Sequence, residues 1–229
     1  MPVKTVAQPV EIGVTGGLNT SNILNDFRFP IGDQVLDLES NLTTGFQAGL
    51  VVRKPITRAI SLQAEPSLMR IGANIRDSFF LPRPAGGGFV PVETDSKAEI
   101  FYIHLPVVAR ISNLPPPQTV YGLPFSYTTF HATGGIFGGY LLDAEFSGTN
   151  TADSFGIPFI GEFSNDVTSQ FADFDGGIIL GGGMEHGNRS KVGFEVRGML
   201  SLMNSGDGPP ELEFDTRNMA VTFSLYFIL

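Results

Sequence analysis

The chain has 229 residues, room for one large β domain or two small ones, with 28 glycines, 20 phenylalanines and neither cysteine nor tryptophan. The missing cysteine excludes disulfides and thiolate metal sites, and a formal charge of −9 argues against a nucleic-acid surface. The longest uncharged run, 111–142, is broken by Pro115, Pro116, Pro117, Pro124 and two glycine pairs. A spanning helix needs about 20 apolar residues of intact helical propensity, so none is expected.

Met1-Pro2-Val3-Lys4 opens the chain without a secretory signal. Either a leader has been removed or the protein is cytosolic, and the strand pattern that follows favours the first.

Eight stretches alternate with a period of two, the mark of a β-strand. The first, 10–19, sets Val10, Ile12, Val14 and Leu18 against Glu11, Thr15 and Asn19. The second, 41–53, sets Phe46, Ala48, Leu50 and Val52 against Gln47, Gly49 and Arg53, and Lys54-Pro55-Ile56-Thr57 reads as a tight turn. The third, 58–71, opposes Ile60, Leu62, Ala64 and Leu68 to Ser61, Gln63, Glu65 and Ser67. The fourth, 97–110, opposes Phe101, Ile103, Leu105, Val107 and Ala109 to Tyr102, His104 and Arg110.

The fifth, 127–145, is glycine-rich, with Ile136, Tyr140 and Leu142 on its outer face. The sixth, 170–186, opposes Phe174, Ile178, Leu180 and Met184 to Asp173, Asp175, Gly177, Gly181, Gly183 and Glu185. A turn at Gly187-Asn188-Arg189-Ser190 leads to the seventh, 191–203, with Val192, Phe194, Val196, Leu200 and Leu202 opposite Glu195 and Arg197. The eighth, 217–229, carries Met219, Val221, Phe223, Leu225, Phe227 and Leu229 on one face and Ala220, Thr222, Ser224 and Tyr226 on the other.

Alternation does not say which face is inside. Three features put the apolar face outward, toward lipid. The polar face is rich in glycine and small residues, as a narrow barrel interior requires. It carries both signs of charge, at Glu11, Arg53, Glu65, Arg110, Asp175, Glu185, Glu195 and Arg197. The apolar face is broad and poor in lysine, unlike a soluble exterior. The expectation is therefore all-β: an eight-stranded antiparallel up-and-down transmembrane β-barrel, one domain over 1–229. Those charged residues, with His104, are expected to fill the lumen as a polar network, because charges do not sit unpaired in a small interior.

Connections alternate in length. Long ones, including 72–96 and 146–169, fall at one end, and turns fall at the other. In such barrels long loops are extracellular and short turns periplasmic, which puts both termini in the periplasm. The proline-rich 112–126 connection breaks the rule and reads as a stiff loop, with a contact point as the sharper alternative.

The chemistry-bearing residues read as structural. His104 faces the lumen, where Glu65 or Glu195 is its expected partner; His131 and His186 fall toward the periplasmic end. A histidine held in an interior network outweighs a general base. Asp173 and Asp175 read as carboxylates answering a lumen arginine such as Arg197, against the alternatives of acid chemistry or a bound cation. Three scattered histidines leave a transition-metal site unsupported, and Gly181-Gly182-Gly183 lacks the lysine and helix of a phosphate loop. No catalytic, cofactor or metal residue is assigned. The loops carry many acids and an unusual number of phenylalanines, including Phe79, Phe80, Phe89, Phe155, Phe159 and Phe163. Such apolar groups either cap the mouth or meet a partner.

Phe174-Asp175-Gly176-Gly177-Ile178-Ile179-Leu180-Gly181-Gly182-Gly183 resembles a strand of the PorT-like outer-membrane β-barrel proteins of Bacteroidota. Val192 to Arg197 is similar to that family's next strand, Arg217-Asn218 to the opening of its last, and Tyr102-Ile103-His104-Leu105-Pro106-Val107 to a middle one. The resemblance implies an eight-stranded outer-membrane barrel, some of whose relatives serve type IX secretion and gliding machinery. One departure is the end: the last aromatic is Phe227, two positions before Leu229. The expected function is a closed, non-enzymatic barrel with a structural or accessory role in an envelope complex. The alternatives are a narrow channel or small-ligand-binding barrel and, third, an outer-membrane hydrolase. Expected partners are outer-membrane lipid, lipopolysaccharide and a protein of the envelope, with no cofactor and no nucleic acid.

Overall fold

The alternating segments pair edge to edge until the sheet meets itself. A computed structural model describes residues 9–25, 28–31, 34–37, 39–82, 88–113, 119–120, 123–124, 126–154, 157–205 and 216–229. The staves are β1 (Glu11–Asn25), β2 (Thr43–Pro55), β3 (Ile60–Ala64 and Ser67–Pro82), β4 (Phe89–Ser112), β5 (Tyr127–Ser154), β6 (Phe174–Gly187), β7 (Lys191–Ser201) and β8 (Thr216–Ile228). Each pairs antiparallel with its sequence neighbours, and β8 returns to β1 with Gly13 opposite Ile228 and Asn25 opposite Thr216. The result is an eight-stranded antiparallel up-and-down barrel, which removes every edge within the ring.

The faces are inverted relative to a soluble barrel. Leu180 is 65% exposed, Ile136 64% and Leu225 63%, whereas Arg110 is 2% exposed and Glu195 1%. An apolar girdle and a charged interior are stable together only when the surrounding solvent is hydrocarbon. Toward the loop end the girdle is edged by aromatics, with Phe46 against Phe101 at 6.2 Å and Tyr140 against Phe174 at 5.2 Å between ring centroids.

Two turns on the terminal side are tight. At 56–59 the Thr57 hydroxyl accepts from the backbone N–H groups of Ala59 and Ile60, 3.2 and 3.0 Å. At the β6–β7 turn Gly187 has φ +142°, where a side chain is strained. The third connection on this side contains a two-stranded ladder, Thr119–Val120 with Leu123–Pro124; Pro115, Pro116 and Pro117 lie outside the described residues.

Several expected boundaries shift. The 72–96 segment is mostly strand: β3 runs to Pro82 and pairs with β4 down to Pro82 opposite Phe89. In place of a loop at 146–169, β5 continues to Ser154 and a strand at Ile157–Asp166 folds back along it. A membrane strand needs about 9–11 residues, so β4 with 24 and β5 with 28 carry the sheet well past the girdle. Cross-strand pairing drew these segments into strand, and their weaker alternation had hidden them. The third stave, expected to be continuous, breaks at Glu65–Pro66, because proline has no N–H for the ladder. Its neighbours still stitch the gap: Leu50 N donates to Pro66 O at 3.0 Å and Glu65 N to Pro106 O at 3.1 Å. The sixth stave begins at Phe174, preceded by a 3-10 turn at Thr168–Gln170.

Candidate functional site

The interior is built in two halves. In the half toward the turns, arginines reach across the lumen to carboxylates on the far wall. Arg53 of β2 places Nη1 2.7 Å from Glu185 of β6 and 3.4 Å from Glu11. Arg110 of β4 places Nη1 3.0 Å from the same Glu185 oxygen and donates to the Tyr226 hydroxyl of β8 at 2.9 Å. Tyr226 in turn donates to Glu185 at 2.9 Å, and both guanidinium carbons lie within 5.8 Å of its ring centroid. Lys191 closes the rim with a 2.5 Å contact to Glu11.

A second tier lies deeper. Arg197 of β7 donates from Nη1 to Glu65 at 2.7 Å and from Nε to Glu195 at 2.8 Å. Thr133 adds a 2.6 Å bond to Glu195, and His131 Nε2 stands 3.6 Å from it, an electrostatic contact beyond hydrogen-bond reach. Gln63 joins the tiers: its oxygen accepts from Arg53 Nε at 2.6 Å and its amide donates to Glu65. The network therefore runs unbroken from Glu11 to Glu195. Charged hydrogen bonds of this kind offset the cost of taking ions out of water only when the polar groups are answered; here each carboxylate is answered, while Arg53 Nη2 and both His131 ring nitrogens have no hydrogen-bond partner.

The half toward the loops holds an apolar cluster, with Asn19, Ser21, Asp175, Ser201 and Asn218 as buried polar groups beside it. Met69, Ile71, Ile100, Tyr102, Phe137, Ile179 and Met199 are buried together. A cavity of about 10 Å³ lies beside them, lined also by His104, Asp175 and Asn218, which is at most the space of one water. The sequence predicts a polar network filling the lumen, but the inward parity of β3 and β4 changes composition past Ser67 and Tyr102.

The expected lumen residues Glu11, Arg53, Glu65, Arg110, Glu185, Glu195 and Arg197 are brought into this one network. Two partnerships differ from expectation. His104 pairs with neither Glu65 nor Glu195, which Arg197 holds; both its ring nitrogens are buried without a hydrogen-bond partner, and its ring rests on Phe137 at 5.2 Å. Asp175 does not answer Arg197. It is buried apart from the network, accepting from Ser201, from Asn218 Nδ2 at 2.7 Å and from Gly176 N at 2.7 Å. Asp173 is exposed on the bend before β6. His186 is exposed beside Thr128, 2.9 Å from its hydroxyl.

Tyr226, Gln63 and Thr133 complete the network and carried no charge to announce them, although their inward parity was readable. A further ion cluster, Arg70 and Lys97 on Glu99 at 3.0 and 2.5 Å, sits at the loop-side edge of the girdle. Among the loop phenylalanines, Phe80 and Phe89 are exposed at the β3–β4 hairpin tip, and Phe163 packs on Phe146 at 5.4 Å. The side chains of Phe79, Phe155 and Phe159 lie outside the described residues. Outside the membrane-spanning part, the Thr168 hydroxyl and backbone N–H hold the Asp166 carboxyl below the usual aspartate range.

Among solved structures, the chain is similar to Ail, the attachment invasion locus protein of Yersinia pestis, solved with the heparin analogue sucrose octasulfate. The identity is 11%, over 97% of this chain and 100% of that one, with a TM-score of 0.35. It is similar to the outer membrane protein OprG of Pseudomonas aeruginosa at 10% identity, over 95% and 94% of the two chains, with a TM-score of 0.42. The N-terminal β-barrel domain of Pseudomonas aeruginosa OprF matches at 9%, over 92% and 96%, with a TM-score of 0.27. No curated protein matches the sequence. The family described as outer membrane protein beta-barrel domain matches residues 6–207, and the chain, an inside-out barrel with a lipid-facing girdle, belongs to that family.

Proposed function

We propose that this protein is a closed, non-enzymatic outer-membrane barrel with a structural or accessory role in an envelope complex. The observation that carries the reading is the ionic network bridging opposite walls of the lumen, with a cavity of about 10 Å³ in the loop half. Eight strands leave an interior just wide enough for side chains, and these side chains hold one another in place. Function then falls to the surfaces outside the membrane, above all the β3–β4 and β5 extensions with exposed Phe80 and Phe89. A PorT-like role in the secretion or gliding machinery of a Bacteroidota cell is the specific form of this proposal, and the strand motifs at 174–183 and 192–197 support it. Against a hydrolase, His131 and His186 belong to the turn half and His104 to mid-barrel.

The short turns lie on the side of both termini and the long extensions on the other, which supports periplasmic termini. The acids of the loop side, among them Asp95, Glu145 and Asp166, suit divalent-cation bridging to lipopolysaccharide. Planar-bilayer recording of the purified protein tests the closed lumen. The expected result is no steady single-channel current; regular openings would replace this proposal with the narrow-channel reading.

A further inference from the structure

The exposed charges divide by end. On the loop side Asp95, Asp143, Glu145, Asp166 and Asp173 are exposed. Arg76 there is paired with Asp95 at 3.2 Å, and Arg70 and Lys97 are paired with Glu99. On the turn side every acidic side chain among the described residues, Glu11 and Glu185, is turned inward to the network. Among the described residues, the exposed charged side chains there are Lys54, which has a partner, Arg58 and Arg189.

Arg58 and Arg189 have no ion-pair or hydrogen-bond partner among the described residues. Arg58 sits in the β2–β3 turn, held by bonds from Ile56 N and Thr57 N to Ile60 O at 2.9 and 3.0 Å. Arg189 sits in the β6–β7 turn. In the ring these turns are half the circumference apart, with four staves between them either way. A planar lipid layer surrounding the barrel meets both at once. Both arginines also lie where the apolar girdle ends, with Ile56 and Ile60 flanking one and Val192 just past the other, all exposed.

We infer that Arg58 and Arg189 form a cationic collar that binds the headgroups of anionic phospholipids in the leaflet at the turn side. A guanidinium matches the phosphate oxygens in a two-pronged fashion, and among the described residues no acidic side chain at this end faces outward to compete with them. A long arginine stem can cover apolar surface while its charge reaches the headgroup plane. The same collar favours the orientation in which the turns face the phospholipid leaflet.

The test is lipid selectivity of the full chain reconstituted in phosphatidylcholine vesicles at low salt, with trace spin-labelled phosphatidylglycerol or phosphatidylcholine reporting the boundary layer. The expected preference for phosphatidylglycerol is about fivefold. It collapses toward unity at high salt, and R58Q/R189Q loses most of it while R76Q keeps it. Equal association of the two lipids in the unaltered protein, or an undiminished preference in folded R58Q/R189Q, overturns the collar. The salt titration needs no variant, so the proposal stays testable if the double variant fails to insert. Neither result bears on whether the lumen conducts.

Discussion

Arg197 and Glu65 face each other from β7 and β3, four places apart in the eight-strand ring, and meet at the centre with Nη1 2.7 Å from Oε2. Arg53 and Glu185 repeat the relationship between β2 and β6 at 2.7 Å. Each bridge is a spoke across the full width of the barrel. A spoke of this kind fixes the distance between opposite walls.

Arg197→Met leaves Glu65 and Glu195 buried without their cation. The expected loss is about 3–5 kcal/mol, read by circular dichroism during urea unfolding in lipid vesicles. The combined variant R197M/E65Q/E195Q restores a large part of that loss, because no charge is then stranded. A triple variant no more stable than R197M would mean that the charges themselves are not what the arginine answers.

Gly193 lies opposite Tyr226, and a Cβ added there would stand 2.1 Å from the tyrosine ring. Gly193→Ala therefore displaces the ring that Arg110 and Glu185 both use, at an expected cost of about 1–3 kcal/mol. Gly198 on the same strand has open space around its Cβ position, so G198A is expected within about 0.5 kcal/mol of the parent. Paired unfolding curves check the contrast.

Leu180 is central in β6 and faces out, whereas Val192 stands at the turn rim. Leu180→Arg is expected to cost about 2–4 kcal/mol in a bilayer and V192R about 0–1. Equal costs in vesicles would contradict the depth assigned to the girdle.

Asp166 titrates below the ordinary aspartate value because Thr168 bonds to its charged form. Its folded carboxyl being the stronger acid, the Thr168–Gln170 turn gains from that charge above the ordinary value. The gain is lost as pH falls through the lowered one. Carboxyl carbon NMR in micelles is expected to show the downward shift in the parent and its reduction in T168V.

The staves and their faces were legible because a period of two is written locally, and burial demands that it be kept. β8 is the clearest case: Met219 to Phe227 outward and Ala220 to Tyr226 inward follow from parity alone. The inward set Glu11, Arg53, Glu65, Arg110, Glu185, Glu195 and Arg197 was legible for the same reason. The extensions of β4 and β5 were not. Beyond the lipid no solvent contrast enforces alternation, so acids and phenylalanines there read as loop.

Parity also could not name partners. His104 shares its face with Glu65 and Glu195, yet Arg197 takes both carboxylates and leaves the imidazole against Phe137. Sequence by itself determined the eight membrane-crossing staves, the face of most of their residues and, through the charges of one face, that lipid lies outside. Only the closed ring decided which residues are diametric, because that depends on stave number and register shared among all eight strands. Partners such as Arg53 and Glu185 stand 132 residues apart, and no local pattern encodes a distance across a lumen.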